Sequence, residues 1–142
     1  MIKMVHSGWA YITLFILVFA VYNVVKGAIT KKEFTDKDLR ISLFTLIVAH
    51  IQLIIGFIAY FTSDYFTSLT ENGMGASMKD SVVRLFSVEH PLMMILAIVL
   101  ITVGFSKHKK KTTDSAKFKT LSIFYGLALL LVLSKIPWAY WF

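Results

Sequence analysis

Cysteine is absent from the 142-residue chain. Disulfides, thiolate nucleophiles, iron–sulfur clusters and covalently attached c-type haem are thereby excluded. Charge is scarce as well, at 16% of residues, against roughly 25% in ordinary soluble domains. The spacings HxxxH, ExxH and HExxH do not occur, so a zinc or di-iron site built at short helical spacing has no support. There is no internal repeat and no stretch left for a separate soluble module. Chemistry must come from histidine, carboxylate, lysine or a bound cofactor.

What the chain has in abundance is apolar side chain, 57% of residues. Four runs account for it, Met4 to Val25, Ile41 to Thr62, Ser81 to Phe105 and Thr120 to Phe142, each near the ~20 residues that span a ~30 Å hydrocarbon core. The expected fold is all-α: one integral membrane domain over residues 1–142, an up-down four-helix transmembrane bundle. The first run lacks a small-x-small cleavage site in "VYNVVKGAIT" and is expected to stay in the mature protein. Ser63 to Asp80, with "ENGMGAS", reads as an irregular surface connection. Asp80 is a candidate N-cap for the third span, which is expected to kink or break at Pro91.

The formal charge of +7 does not indicate nucleic acid, because the cations cluster. Lys26, Lys31, Lys32, Lys37 and Arg40 flank the first connection, and Lys107, Lys109, Lys110, Lys111, Lys117 and Lys119 the last. The other side carries Lys3, Lys79, Arg84 and Lys135. By the positive-inside rule both basic connections are cytoplasmic and both termini lie outside.

Polar residues within the apolar runs point to function. Counting ~1.5 Å per residue from the basic connections puts His6 roughly 30 Å, His90 about 25 Å and Lys135 about 24 Å across, with His50 only about 15 Å. His6, Arg84, Glu89, His90 and Lys135 thus gather in the outer third. An ionisable group at such depth costs about 2.5–3.5 kcal/mol, so Glu89 and Lys135 are expected to pair or, for Lys135, to snorkel. Each histidine alone is accounted for by an interhelical hydrogen bond. Together, His6 and His90 come from spans that face each other diagonally in an up-down bundle, and can grip an iron from opposite faces. His50 is the alternative partner or the start of a second site. Arg84 and Lys135 lie at the level where porphyrin propionates need cations, and Ser7 and Gly8 would allow close approach beside His6.

Other residues receive plainer readings. His108, in "KHKKK", is expected to be a solvated loop residue, and Met93 and Met94 to be core. Trp9, Trp138, Tyr140 and Trp141 fit an aromatic belt. Gly56, Gly104 and Gly126 mark candidate close approaches between helices.

At "VHSGWAYI", "AHIQLIIGFIAYF", "RLFSVEHPLMMI" and "SKIPWAYWF" the sequence resembles small four-helix bacterial membrane proteins labelled cytochrome b or cytochrome b-like, over nearly the whole chain. The resemblance implies one non-covalent haem b in a bacterial inner membrane, carried onto His6, His50 and His90 with Arg84 and Glu89 as companions. A looser similarity, at "HIQLIIG", is to one half of haem A synthase; the carboxylate and histidine motifs of that activity are missing.

The expected function is single-electron transfer between quinol or a partner cytochrome and an acceptor at the outer face, with membrane lipid, a quinone and a respiratory or other membrane complex as partners. Two alternatives stand beside it. One is a haem-free accessory or assembly subunit, the other a quinol- or superoxide-linked oxidoreductase.

Overall fold

The computed structural model describes residues 2–137. Among them are five helices and no strand: α1 (Ile2–Thr30), α2 (Asp36–Phe61), α3 (Asp64–Lys79), α4 (Ser81–Lys109) and α5 (Asp114–Lys135). All but α3 are long and apolar enough to cross a membrane. Their outward faces carry large apolar side chains, with Phe15 73% and Leu130 63% exposed, as expected of helices solvated by lipid. This is the signature of a multi-pass membrane protein.

α1 packs on α2 and α5, and α4 packs on the same two helices. α1 and α4 therefore stand on one diagonal of a four-helix ring. The close-packed core lies toward the end with the basic connections. There Leu17, Ala20 and Val24 meet Ala49, Ala97, Ile101, Phe118, Leu121, Tyr125 and Ala128. Small residues let the helices approach: a Cβ on Gly104 would stand 2.4 Å from Phe124 Cβ, and one on Gly27 2.4 Å from Phe118 Cε1. At Gly126 and Gly8, expected at close approaches, an added Cβ would meet nothing within 4 Å.

The connection between α1 and α2 is held by one carboxylate. Thr35 and Asp38 form a capping box at the start of α2. Asp38, fully buried, also accepts from Asn23 Nδ2 at 2.9 Å and pairs with Lys32 at 3.1 Å. Tyr125 Oη donates to the Ser42 carbonyl at 2.8 Å, tying α5 to α2 one turn further on.

Four expectations are corrected. The stretch Ser63 to Asp80 is mostly helix, because Ser63 caps α3 by accepting from Phe66 N–H at 3.3 Å. Its aromatic residues find partners: Tyr65 stacks on Phe86 at 4.6 Å, and Phe66 meets Phe61 at 5.0 Å. Only Gly73, at φ +84°, interrupts it, a backbone state that glycine adopts without strain. Second, α4 does not break at Pro91. Asp80 caps it as expected, accepting from Val82 and Val83 N–H, and a π-helical turn over Leu85–Glu89 precedes a renewed α-helix from His90. Pro91 falls in the first turn of that segment, where its missing N–H costs least.

Third, the last span starts earlier than expected, at Asp114, and its described helix closes at Lys135. Ile136 is extended (φ −68°, ψ 132°), as the residue before Pro137 is biased to be. The expected belt residues Trp138, Tyr140 and Trp141, and the end of the expected span, lie outside the described residues. Fourth, His108 is no solvated loop residue. α4 runs on to Lys109, and His108 extends the buried stripe of Ala97, Ile101, Gly104 and Phe105. It is 1% exposed, donates through Nδ1 to the Phe105 carbonyl and lies 5.5 Å from the Phe34 ring.

Candidate functional site

The end opposite the basic connections is built differently. Among the described residues of the four long helices, it contains no fully buried side chain except Ser87. Ser87 lies beneath α3, its Oγ donating to Tyr65 O at 3.3 Å while its carbonyl accepts from Tyr60 Oη at 2.8 Å. The polar residues that the sequence puts in the apolar runs meet here.

His6 and His90 come together across the diagonal, with ring centres 6.3 Å apart and ring planes at 85°. Each ring is held through Nδ1. His90 Nδ1 donates to the Lys135 carbonyl at 2.9 Å, which leaves the lone pair of a neutral ring on Nε2. That carbonyl is free because Lys135 ends α5, where the last carbonyls lack helical partners. His6 Nδ1 accepts from Gln52 Nε2 at 3.0 Å, and the same amide nitrogen donates to His6 O at 3.1 Å. Gly56, one turn along α2 from Gln52, completes the cradle: a Cβ there would stand 3.3 Å from His6 Cε1. Gln52 Oε1 is buried without a hydrogen-bond partner. No hydrogen bond reaches Nε2 of either ring among the described residues.

The charged residues form one chain beside the rings. Glu89 accepts from Lys135 Nζ at 3.0 Å and from Arg84 Nε at 3.4 Å, while Arg84 Nη1 donates to Met78 O at 3.0 Å. The expected pairing of Glu89 with Lys135 is therefore present. Both cations are engaged with one carboxylate, and the cluster keeps a net positive charge.

His50 does not join the pair. Its Nδ1 donates to Leu46 O, one turn back on its own helix, at 2.8 Å. Its Nε2 lies 3.4 Å from the Thr102 hydroxyl, which itself donates to Ile98 O at 2.8 Å. Trp9, read as a belt residue, donates its indole N–H to Val48 O at 3.1 Å and so ties α1 to α2.

The donor set distinguishes between metal groups. Among the described residues no three His, Cys, Asp or Glu side chains converge on one point, so a bare ion would lack ligands. An iron whose equatorial positions are filled by a porphyrin needs only two. Two imidazole nitrogens at roughly 2.0–2.1 Å on opposite sides of an ion would put the ring centres about 6–6.5 Å apart, a range that includes the 6.3 Å between His6 and His90. His90 has the carbonyl-held Nδ1 typical of a ligating histidine. His6 does not, since an accepting Nδ1 leaves the proton of a neutral ring on Nε2. The macrocycle itself would need these helices to stand further apart than the ~8–10 Å of close packing. It would enter the half of the bundle where, among the described residues of the four long helices, Ser87 alone is buried.

Gln52 is the site residue that sequence reasoning missed. A lone amide in the run "HIQLIIGF" needs a partner in an apolar medium, and its four-residue spacing from Gly56 puts both on one helix face. No protein-family model, curated protein or solved structure matches this chain.

Proposed function

We propose that the chain is a non-covalent haem b protein of a bacterial inner membrane, an up-down four-span bundle with both termini outside, related to the small four-helix proteins labelled cytochrome b. It passes single electrons between quinol or a partner cytochrome and an acceptor at the outer face. The observation that carries this reading is the His6–His90 pair, two imidazoles from different spans with ring centres 6.3 Å apart, at the less buried end of the bundle. Haem, when bound, supplies a one-electron couple. His6 and His90 would be the two residues that hold it, and a haem so held would serve electron transfer rather than oxygen chemistry. Lys135 contributes twice, its carbonyl orienting His90 and its ammonium facing Glu89. Arg84 and Lys135 keep the surroundings cationic, which supports binding of propionates.

The test is the absorption spectrum of protein purified after haem-sufficient expression. Wild type and His50→Ala are expected to show reduced b-type bands, and His6→Ala and His90→Ala to lack them. A colourless wild type refutes the reading. One observation favours a second reading, a haem-free accessory subunit: His6, His50, Arg84, Glu89, His90 and Lys135 each already have a protein partner. Co-purification with a larger complex, without iron, would select it.

A further inference from the structure

The Gln52 amide meets His6 in a way that neither a purely structural contact nor a ready ligand site explains. Its nitrogen serves two acceptors on one residue, His6 Nδ1 and His6 O, at 3.0 and 3.1 Å. Its oxygen is buried with nothing to accept from. Amide oxygen and nitrogen are nearly the same size, and turning the group over exchanges a donor for an acceptor within the same space.

We propose that Gln52 is the positioning residue of His6 and a two-state switch of its tautomer, so that His6 becomes a ligand only when the amide turns over. This deepens the haem reading and rests on it for the ligand-bound state alone. In the observed state the amide N–H faces Nδ1, the ring proton sits on Nε2, and the nitrogen nearest in role to a ligand is blocked. In the turned state Oε1 accepts from Nδ1–H and the lone pair moves to Nε2.

Neither state satisfies every group. The first leaves Oε1 orphaned; the second sets Oε1 against the His6 carbonyl. A ligand that binds only the turned state decides between the two arrangements when its binding supplies the difference between them. Gly56 is part of the device. A Cβ there would stand 3.3 Å from His6 Cε1, so glycine at this position gives the ring its place beside the amide. His90 has no such switch, since a carbonyl can only accept and holds its Nδ1–H in one role.

The experiment is nitrogen NMR of selectively labelled, detergent-solubilised full-length protein, before and after loading with haem b and reduction to the diamagnetic state. In haem-free wild type, His6 Nδ1 is expected to be unprotonated, with a scalar coupling across the hydrogen bond from Gln52 Nε2. In haem-free Gln52→Glu, with the carboxylate ionised and able only to accept, His6 is expected to carry its proton on Nδ1. In loaded wild type, Nδ1 is expected to be protonated and the coupling lost. A protonated Nδ1 in haem-free wild type overturns the proposal, and so does an unchanged tautomer in Gln52→Glu. The first two measurements need no haem, so the switch and the haem reading can fail separately.

Discussion

At the basic end of the bundle Asp38, Ser42, Thr45 and His108 are each buried and hydrogen-bonded, among Phe118, Leu121 and Tyr125 at zero exposure. At the opposite end His6, Gln52, His90, Glu89 and Lys135 are only partly buried, and one amide oxygen has no partner. Both ends put polar groups into an apolar bundle. One buries and hydrogen-bonds these four residues, although Ser122 Oγ beside them has no partner; the other leaves its polar residues partly exposed and one amide oxygen unpaired. Local stability in proteins is uneven, and sites that must admit or release something are drawn from its low end. The basic end is the more enclosed half of the bundle, and the proposed haem site lies in the other.

This contrast can be broken by substitution, with stability read from unfolding in mixed detergent micelles. The largest loss is expected for Gly104→Leu, whose Cβ meets Phe124 Cβ at 2.4 Å; overpacking of this kind costs roughly 3 kcal/mol or more. Gly126→Leu, with nothing within 4 Å, is the matched control and should be near neutral. Asp38→Ala removes a capping box and the partners of Asn23 and Lys32, for an expected loss of about 2–3 kcal/mol. Tyr125→Phe deletes one buried interhelical donor, about 1 kcal/mol. Thr102→Val, beside His50, should cost less than about 1 kcal/mol. If His6→Ala or His90→Ala in haem-free protein destabilised the bundle as much as Gly104→Leu, the division between the enclosed end and the proposed site would be lost.

The four apolar helices were legible from run length, and so was the gathering of His6, Arg84, Glu89, His90 and Lys135 at one level, because depth follows from a fixed rise per residue. The Glu89–Lys135 pair was legible from the cost of burying either alone. Other features were not, for reasons that lie in the chain. α3 escaped because its polar surface hides a Ser63 cap and an aromatic set that acquires meaning only against Phe61 and Phe86. His108 was obscured by the lysines around it, although it continues the stripe of Ala97, Ile101 and Gly104. The tautomers of His6 and His90 depend on Gln52 and the Lys135 carbonyl, which are distant in sequence and meet only in the packed bundle.

The central claim is that two imidazoles from α1 and α4 hold one iron. The most direct measurement is a low-temperature electron paramagnetic resonance spectrum of the oxidised, purified protein. Ring planes at 85° predict the highly anisotropic low-spin ferric signal given by nearly perpendicular axial imidazoles, abolished in both His6→Ala and His90→Ala. A high-spin ferric haem signal, or no ferric haem signal from protein expressed with ample haem, would contradict the account.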